Sequence, residues 1–241
     1  MDDVSATSAP GREQELRSGL ETVRARIERA CAESAREPSE VGLVVVTKYF
    51  PASDVRLLAG LGVTDVAENR HQEAEAKAAE CADLGLRWHF VGGLQSNKAT
   101  AVAGYADVVE SVDRAKLVPR LDRAAAERGH ALEILVQVSL DGPDAEHRSG
   151  VDPAELLGLA DRVAQAEHLE LAGIMAVAPL GENPADAFAR LREHRELLVS
   201  RHPAATRLSA GMSGDLEEAV AAGTTHVRVG SAILGPRPPV H

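Results

Sequence analysis

Residues 42–53 read GLVVVTKYFPAS, and they hold the choice between two folds. The run of β-formers from Val44 to Thr47 reads as a strand buried on both faces, the kind that parallel sheets contain. A doubly wound dinucleotide fold normally leaves its first strand through a glycine-rich turn. Here the turn, TKYFPAS, has no glycine, which favours a closed barrel. The same turn carries Lys48 directly after the apolar run. An ammonium is costly to desolvate, so Lys48 either points into water beyond the strand end or belongs to a site.

Outward from this unit one phrase recurs: a short β-branched run, a polar or glycine junction, then an Ala/Leu/Glu-rich helix. The candidate strands are residues 42–47, 63–68, 87–92, 106–112, 133–139, 171–177, 206–210 and 226–231, with room for a helix after each. Strands alternating with helices imply parallel pairing, since each crossover returns the chain to the same end of the sheet. The expected architecture is α/β, a single (β/α)8 TIM barrel with an additional N-terminal helix. That helix is expected from Glu13 to about Arg36, where Leu16, Leu20, Val23, Ile27 and Cys31 recur at helical spacing. Residues 1–12 are expected to form a disordered tail, and residues 13–241 the barrel domain.

Composition narrows the function. With 26 Lys+Arg against 37 Asp+Glu the net charge is −11, unsuited to gripping a nucleic-acid backbone. Cys31 and Cys81 are far apart and lack metal-ligand spacing. The N-terminus, MDDVSATSAPG, is acidic where a signal peptide is basic and then apolar, and no apolar stretch approaches membrane-spanning length. A cytoplasmic protein with no nucleic-acid or membrane partner is expected.

Barrels of this kind place functional residues at the C-terminal ends of their strands, with a phosphate site after strands seven and eight. Lys48 follows strand one and Asn69 strand two. His89 lies within strand three, before Gly92 and Gly93, and Met175 lies late in strand six. His89 reads as a hydrogen-bonded core or rim histidine, because no metal-ligating partner stands at ligand spacing. After strand seven, GMSGDLEE reads as a helix start with Ser213 as N-cap, and strand eight carries Arg228, Gly230 and Ser231. Backbone N–H groups and hydroxyls there suit an anion, glycine allowing close approach. A lysine desolvated at a barrel mouth becomes an amine able to attack an aldehyde. An aldehyde-seeking lysine opposite a phosphate cup suggests pyridoxal 5′-phosphate (PLP). Arg228 would then face the pyridine nitrogen and hold it unprotonated, which weakens the ring as an electron sink.

The segments VVVTK, AENR, WHFVGGLQSNK, GIMAVAP and LSAGMSGDLEEAVAAGTTHVRVGSAILG, in this order, resemble the YggS/PROSC family of pyridoxal phosphate homeostasis proteins from about Val41 to Gly235. The resemblance implies the alanine-racemase N-terminal barrel fold, with Lys48 forming a Schiff base to PLP. It further implies that Asn69 and Met175 line the ring pocket, that Ser213, Gly230 and Ser231 hold the phosphate, and that Arg228 faces the pyridine nitrogen. The chain departs from the family pattern at Ala67, Ala210 and Leu234, where glycine, methionine and phenylalanine are usual.

Two functions compete: a PLP carrier or regulator without turnover, and a PLP-dependent amino-acid racemase. Racemisation needs a base on each face of the substrate carbon. Racemases of this fold type take their second base, a tyrosine, from an additional β-domain, for which no sequence follows the last barrel motif here. Tyr49 is expected near the site and Tyr105 at the opposite end. A Schiff-base aldolase without PLP would use Lys48 and the phosphate cup but leaves VRVGS unexplained. The carrier reading is therefore preferred, with PLP-dependent apoenzymes as recipients and a monomer or weak homodimer as the state in solution. LQSNK reads as a loop and helix start after strand three that could contribute to the mouth, without assigned chemistry, and DGPDAEHRSG after strand five reads either as a mobile loop able to reach over the pocket or as an ordinary solvated connection.

Overall fold

The computed structural model of the chain describes residues 10–141 and 149–237. Eight strands form a closed barrel in chain order: β1 (Gly42–Val46), β2 (Asp65–Glu68), β3 (Arg87–Phe90), β4 (Val108–Val112), β5 (Leu132–Gln137), β6 (Leu169–Met175), β7 (Arg207–Ser209) and β8 (His226–Val229). Every neighbouring pair is parallel, and β8 closes on β1 with Val44 opposite Arg228. The crossovers are α2 (Ala52–Gly60), α3 (His71–Glu80), α4 (Ala99–Ala103), α5 (Val118–Arg128), α6 (Leu156–Ala164), α7 (Pro184–Arg201) and α8 (Leu216–Ala221), with α9 (Ser231–Leu234) after β8. All eight expected strands are present. The last ends at Val229, two residues short of the expected boundary, because Gly230 and Ser231 turn directly into α9.

The N-terminal helix α1 runs from Pro10 to Glu33, not from Glu13 to Arg36. Pro10 to Arg12, read from the sequence as tail, are its first turn. Proline is tolerated there because its missing N–H would have no helical acceptor. Arg12 fixes the start: its guanidinium donates to Asp54 at 2.7 and 3.2 Å and to Leu234 O at 3.0 Å, and lies 5.5 Å from the centre of the Phe50 ring. Sequence periodicity does not register such tertiary ties. The expected tail residues 1–9 lie outside the described residues.

The apolar stripe Leu16, Leu20, Val23, Ile27 and Cys31 is buried against Val45, Val227, Leu216 and Ile233, so α1 covers the flank of its own barrel. Contact is closest at Gly19, where an added Cβ would stand 2.6 Å from Ile233 O of α9. Outside the barrel the apolar core fills the layer between strands and helices. Inside, Val108, Leu135, Ala172 and Met175 form a small apolar cluster, and Val44 and Val46 of β1 also face inward. Beside them the strands bury His89, Glu110, Gln137, Ser209 and Arg228, and these polar groups position the site.

The N-terminal end of the barrel carries a titrating group of its own. Burial, helped by the charge of Arg207, lowers the His226 imidazole from 6.5 to about 4. A depressed folded value means that the unfolded chain binds the proton first, so this contribution is present above about 6.5 and lost as the pH falls toward 4. His89, whose value is raised, works in the opposite sense. Comparison with His226→Gln isolates the first effect: between pH 7 and 5 the parent is expected to lose about 2 kcal/mol relative to the variant, read by urea unfolding.

Candidate cofactor site

A cavity of about 470 Å³ opens at the C-terminal mouth of the barrel, within the usual size range for small-molecule sites. Lys48, Asn69, Met175 and Arg228, predicted from sequence, all line it, together with Val46 and Gln137. The other three predicted residues form an adjoining cup instead. Ser213 Oγ and Ser231 Oγ are 3.3 Å apart, and the Ala232 N–H donates to Ser213 Oγ at 3.4 Å. Gly230 lies against β1, where a Cβ would stand 3.0 Å from Val46 O. The cup therefore sits after β7 and β8 beside a short extra helix, the customary phosphate position of such barrels.

Ser213 is not the helix N-cap. Asp215 occupies that position and accepts the Met212 N–H at 2.6 Å, which leaves Ser213 in the preceding turn with its hydroxyl directed to the cup. The first-turn acid Glu217 is paired with Arg26 of α1 at 2.7 Å, and Arg26 also donates to Ser213 O at 3.0 Å. The terminal helix thus ties down the turn that carries Ser213.

Lys48 is half-buried just past β1, on the interior face that alternation also assigns to Val44 and Val46. The chain turns sharply after it: Tyr49 has φ of +73°, a left-handed conformation that costs a bulky residue and that neighbours must hold. Its N–H donates to Glu73 Oε2 at 3.2 Å, and its ring lies 3.9 Å from the Arg237 guanidinium carbon and 5.2 Å from that of Arg70. Behind Lys48, the Thr47 hydroxyl donates to Glu68 at 2.7 Å, while Lys77 Nζ donates to the same Glu68 oxygen at 2.6 Å and to Thr47 O at 2.8 Å. Burial pushes the Glu68 carboxyl up, against the pull of Lys77 and Thr47. Sequence reasoning missed Glu68 and Lys77. The available signal was a glutamate inside a strand, nine positions before a lysine on the following helix.

Asn69 follows β2, and its Oδ1 is buried without a hydrogen-bond partner among the described residues. Gly92 holds its backbone in place by close approach: a Cβ there would stand 2.1 Å from Asn69 O. On the other neighbour of β1, β8, Arg228 is 4% exposed. Its Nη1 donates to Ser209 Oγ at 2.7 Å and its Nη2 to Ala176 O at 3.0 Å. Burial lowers the guanidinium from its ordinary value, with Glu110 opposing, yet arginine remains a cation in proteins.

His89 is buried and hydrogen-bonded on both sides, as the sequence suggests, with Nδ1 2.7 Å from Glu110 and Nε2 3.0 Å from Asp65. No group of three metal-ligating side chains occurs among the described residues. Neither Tyr49 nor Tyr105 lines the cavity; Tyr105 precedes β4 and stacks on His71. Gln95 and Lys98 of LQSNK line a smaller neighbouring cavity that shares Asn69. Of DGPDAEHRSG, Asp141 and Ser149 reach the main cavity, and residues 142–148 lie outside the described residues.

These residues fit PLP: an amine for its aldehyde, an orphaned amide oxygen in the cavity wall, a buried cation on the strand next to β1, and a hydroxyl cup bordering the cavity. Comparison with known proteins bears on the same point. Residues 18–238 match the family profile described as alanine racemase, N-terminal domain. The chain is 43% identical to the pyridoxal phosphate homeostasis protein of Mycobacterium tuberculosis, across 98% of this chain and 97% of that protein.

The chain belongs to the pyridoxal phosphate homeostasis protein family.

Another member, from Pseudomonas aeruginosa, is 41% identical over 92% of this chain and 96% of its own length. PipY of Synechococcus elongatus, whose structure has PLP bound, superposes with a TM-score of 0.74 at 37% identity, covering 87% of this chain and 99% of PipY. Alanine racemase from Corynebacterium glutamicum shares the fold, with a TM-score of 0.65 at 15% identity over 92% of this chain and 60% of the racemase. The chain's departures from the family pattern, Ala67, Ala210 and Leu234, are all buried and none lines the cavity. They are changes in packing.

Proposed function

We propose that the chain holds PLP at the barrel mouth through Lys48 and serves PLP homeostasis as a carrier or regulator without significant turnover. The observation that carries this is convergence: Lys48, Asn69 and Arg228 face one cavity whose only other titratable lining group, among the described residues, is Asp141. When bound, PLP supplies an aldehyde for a lysine amine and a ring that can withdraw electrons. Lys48 provides the attachment, Asn69 and Met175 the walls beside the ring, and Ser213, Gly230 and Ser231 the phosphate contacts. Arg228 offers a permanent cation to the pyridine nitrogen, which leaves that nitrogen without a proton and electron withdrawal weak.

Racemase activity would require a second base facing Lys48, and no tyrosine lines the cavity to supply one. The naming of the family members as homeostasis proteins supports the carrier reading. PLP-dependent apoenzymes are the proposed recipients. A monomer or weak homodimer is supported by α1, whose apolar stripe is spent on its own barrel. Two buried free thiols fit a cytoplasmic setting, and no helix among the described residues is long and apolar enough to cross a membrane.

The test is to titrate purified protein with PLP, record the visible spectrum, reduce with borohydride, and map the modified peptide while assaying alanine racemisation on the same sample. The expected result is one reduced adduct at Lys48 and no racemisation above the level of free PLP. An unmodified Lys48 overturns the site, and sustained turnover overturns the carrier role in favour of a racemase.

A further inference from the structure

Beneath the cavity runs a column of buried polar groups that attachment of a cofactor at Lys48 does not require. From the mouth downward it consists of Arg228 on β8, Ser209 on β7, Glu110 on β4, His89 on β3 and Asp65 on β2. Arg228 Nη1 donates to Ser209 Oγ at 2.7 Å, and the Ser209 hydroxyl donates to Glu110 Oε2 at 2.6 Å. Glu110 Oε1 is 2.7 Å from His89 Nδ1, and His89 Nε2 is 3.0 Å from Asp65 Oδ1. All but Asp65 are nearly inaccessible.

Only one proton arrangement satisfies every link with both carboxylates ionised. Carboxylates can only accept, so the imidazole between them donates from both nitrogens. Ser209 has one proton and gives it to Glu110, so the oxygen it turns to Arg228 is an acceptor. The column therefore alternates in sign: Arg228 positive, Glu110 negative, His89 positive, Asp65 negative. The electrostatics agree. Burial pushes Glu110 up, but His89, Arg228 and Ser209 outweigh it and hold it at about 2; Asp65 is held at about 2 by His89 and Thr64 against burial in the same way. Other charges acting on the column are Asp215, before α8, on Arg228, and Arg87 on Asp65, while His226, itself under the charge of Arg207, interacts with Glu110, His89 and Asp65.

With Nη1 and Nη2 engaged by Ser209 and by Ala176 O, Nε is the nitrogen of Arg228 left without a partner among the described residues. We propose that Ser209 and Glu110, braced from below by His89 and Asp65, are positioning residues that aim Arg228 Nε at the pyridine end of the cofactor cavity. This rests on the PLP-binding role proposed above. It extends that role by making the ring-nitrogen environment depend on side chains that never touch the cofactor.

The experiment compares wild type, Ser209→Ala, Ser209→Thr and Glu110→Gln. Covalent capture at Lys48 by borohydride reads the binding role, and the pH titration of the bound cofactor's visible band, with its equilibrium affinity, reads the positioning role. Ser209→Ala is expected to retain capture at Lys48 while its band midpoint moves by about one pH unit and its affinity falls about tenfold. Ser209→Thr, which keeps the hydroxyl, is expected to restore both, and Glu110→Gln to shift both further. The Ser209 pair decides the matter even if Glu110→Gln does not fold. A Ser209→Ala midpoint and affinity equal to wild type overturn the proposal while leaving PLP binding intact, whereas wild type that captures no PLP overturns both.

Discussion

Lys48→Ala is expected to abolish covalent capture of PLP, from one adduct per chain to none, with little change in folding stability. Among the described residues Lys48 is the only lysine lining the main cavity, and the guanidinium of Arg228 cannot serve as the amine. Lys98 lines the adjoining cavity instead, and Lys77 is engaged by Glu68 and Thr47 O. Lys48 Nζ makes no hydrogen bond among the described residues and lies 5.9 Å from the centre of the Tyr49 ring. Removing the side chain should therefore cost within about 0.5 kcal/mol of stability. Intact mass after borohydride, together with a melting curve, checks both parts. A variant that still gains the reduced adduct at full stoichiometry would remove Lys48 from its role, and a collapsed melting curve would assign it a structural one.

Lys77→Met is expected to give the larger loss of stability. Lys77 holds Glu68 and Thr47 O together in an almost dry space, and a second Glu68 oxygen there already lacks a partner. Breaking a buried pair from one side costs about 3 kcal/mol, a fall of roughly 6–12 °C in Tm for a chain of this size. Because burial already pushes Glu68 up, the orphaned carboxyl is expected to take a proton rather than remain charged. Lys77→Met combined with Glu68→Leu is accordingly expected to recover much of the loss, since a buried ion pair replaced by apolar groups is often neutral. Urea unfolding of the two single variants and the double closes the cycle. A Lys77→Met chain as stable as the parent would show that the pair does not hold the end of β1.

The glycine-free turn after β1 and the eightfold strand–helix phrase were enough to read the barrel, because closure of a parallel sheet leaves a periodic trace in the sequence. The residues at the strand ends were legible for the same reason: a strand end is a position along the chain. Pairings across the barrel were not. Glu110 stands 99 positions from Ser209 and 21 from His89, and no local pattern announces that β3, β4 and β7 aim these side chains at one axis. Alternation within each strand marks the inward positions, but not which charge finds which. Ser213 was misread as a cap because Asp215, two residues later, competes for that place with a carboxylate, and geometry rather than composition decides between them.

The pairing of Val44 with Arg228 has a consequence for the order of synthesis. Lys48 leaves the ribosome 180 residues before Arg228, yet both face the same cavity. A nascent chain that has emerged as far as β7 carries the lysine but neither the cation of the strand that closes against β1 nor the Gly230–Ser231 part of the cup. On the proposed binding role, stable retention of the cofactor waits on the closing strand. A free aldehyde reaching Lys48 earlier would meet an open sheet, from which it can leave as easily as it came.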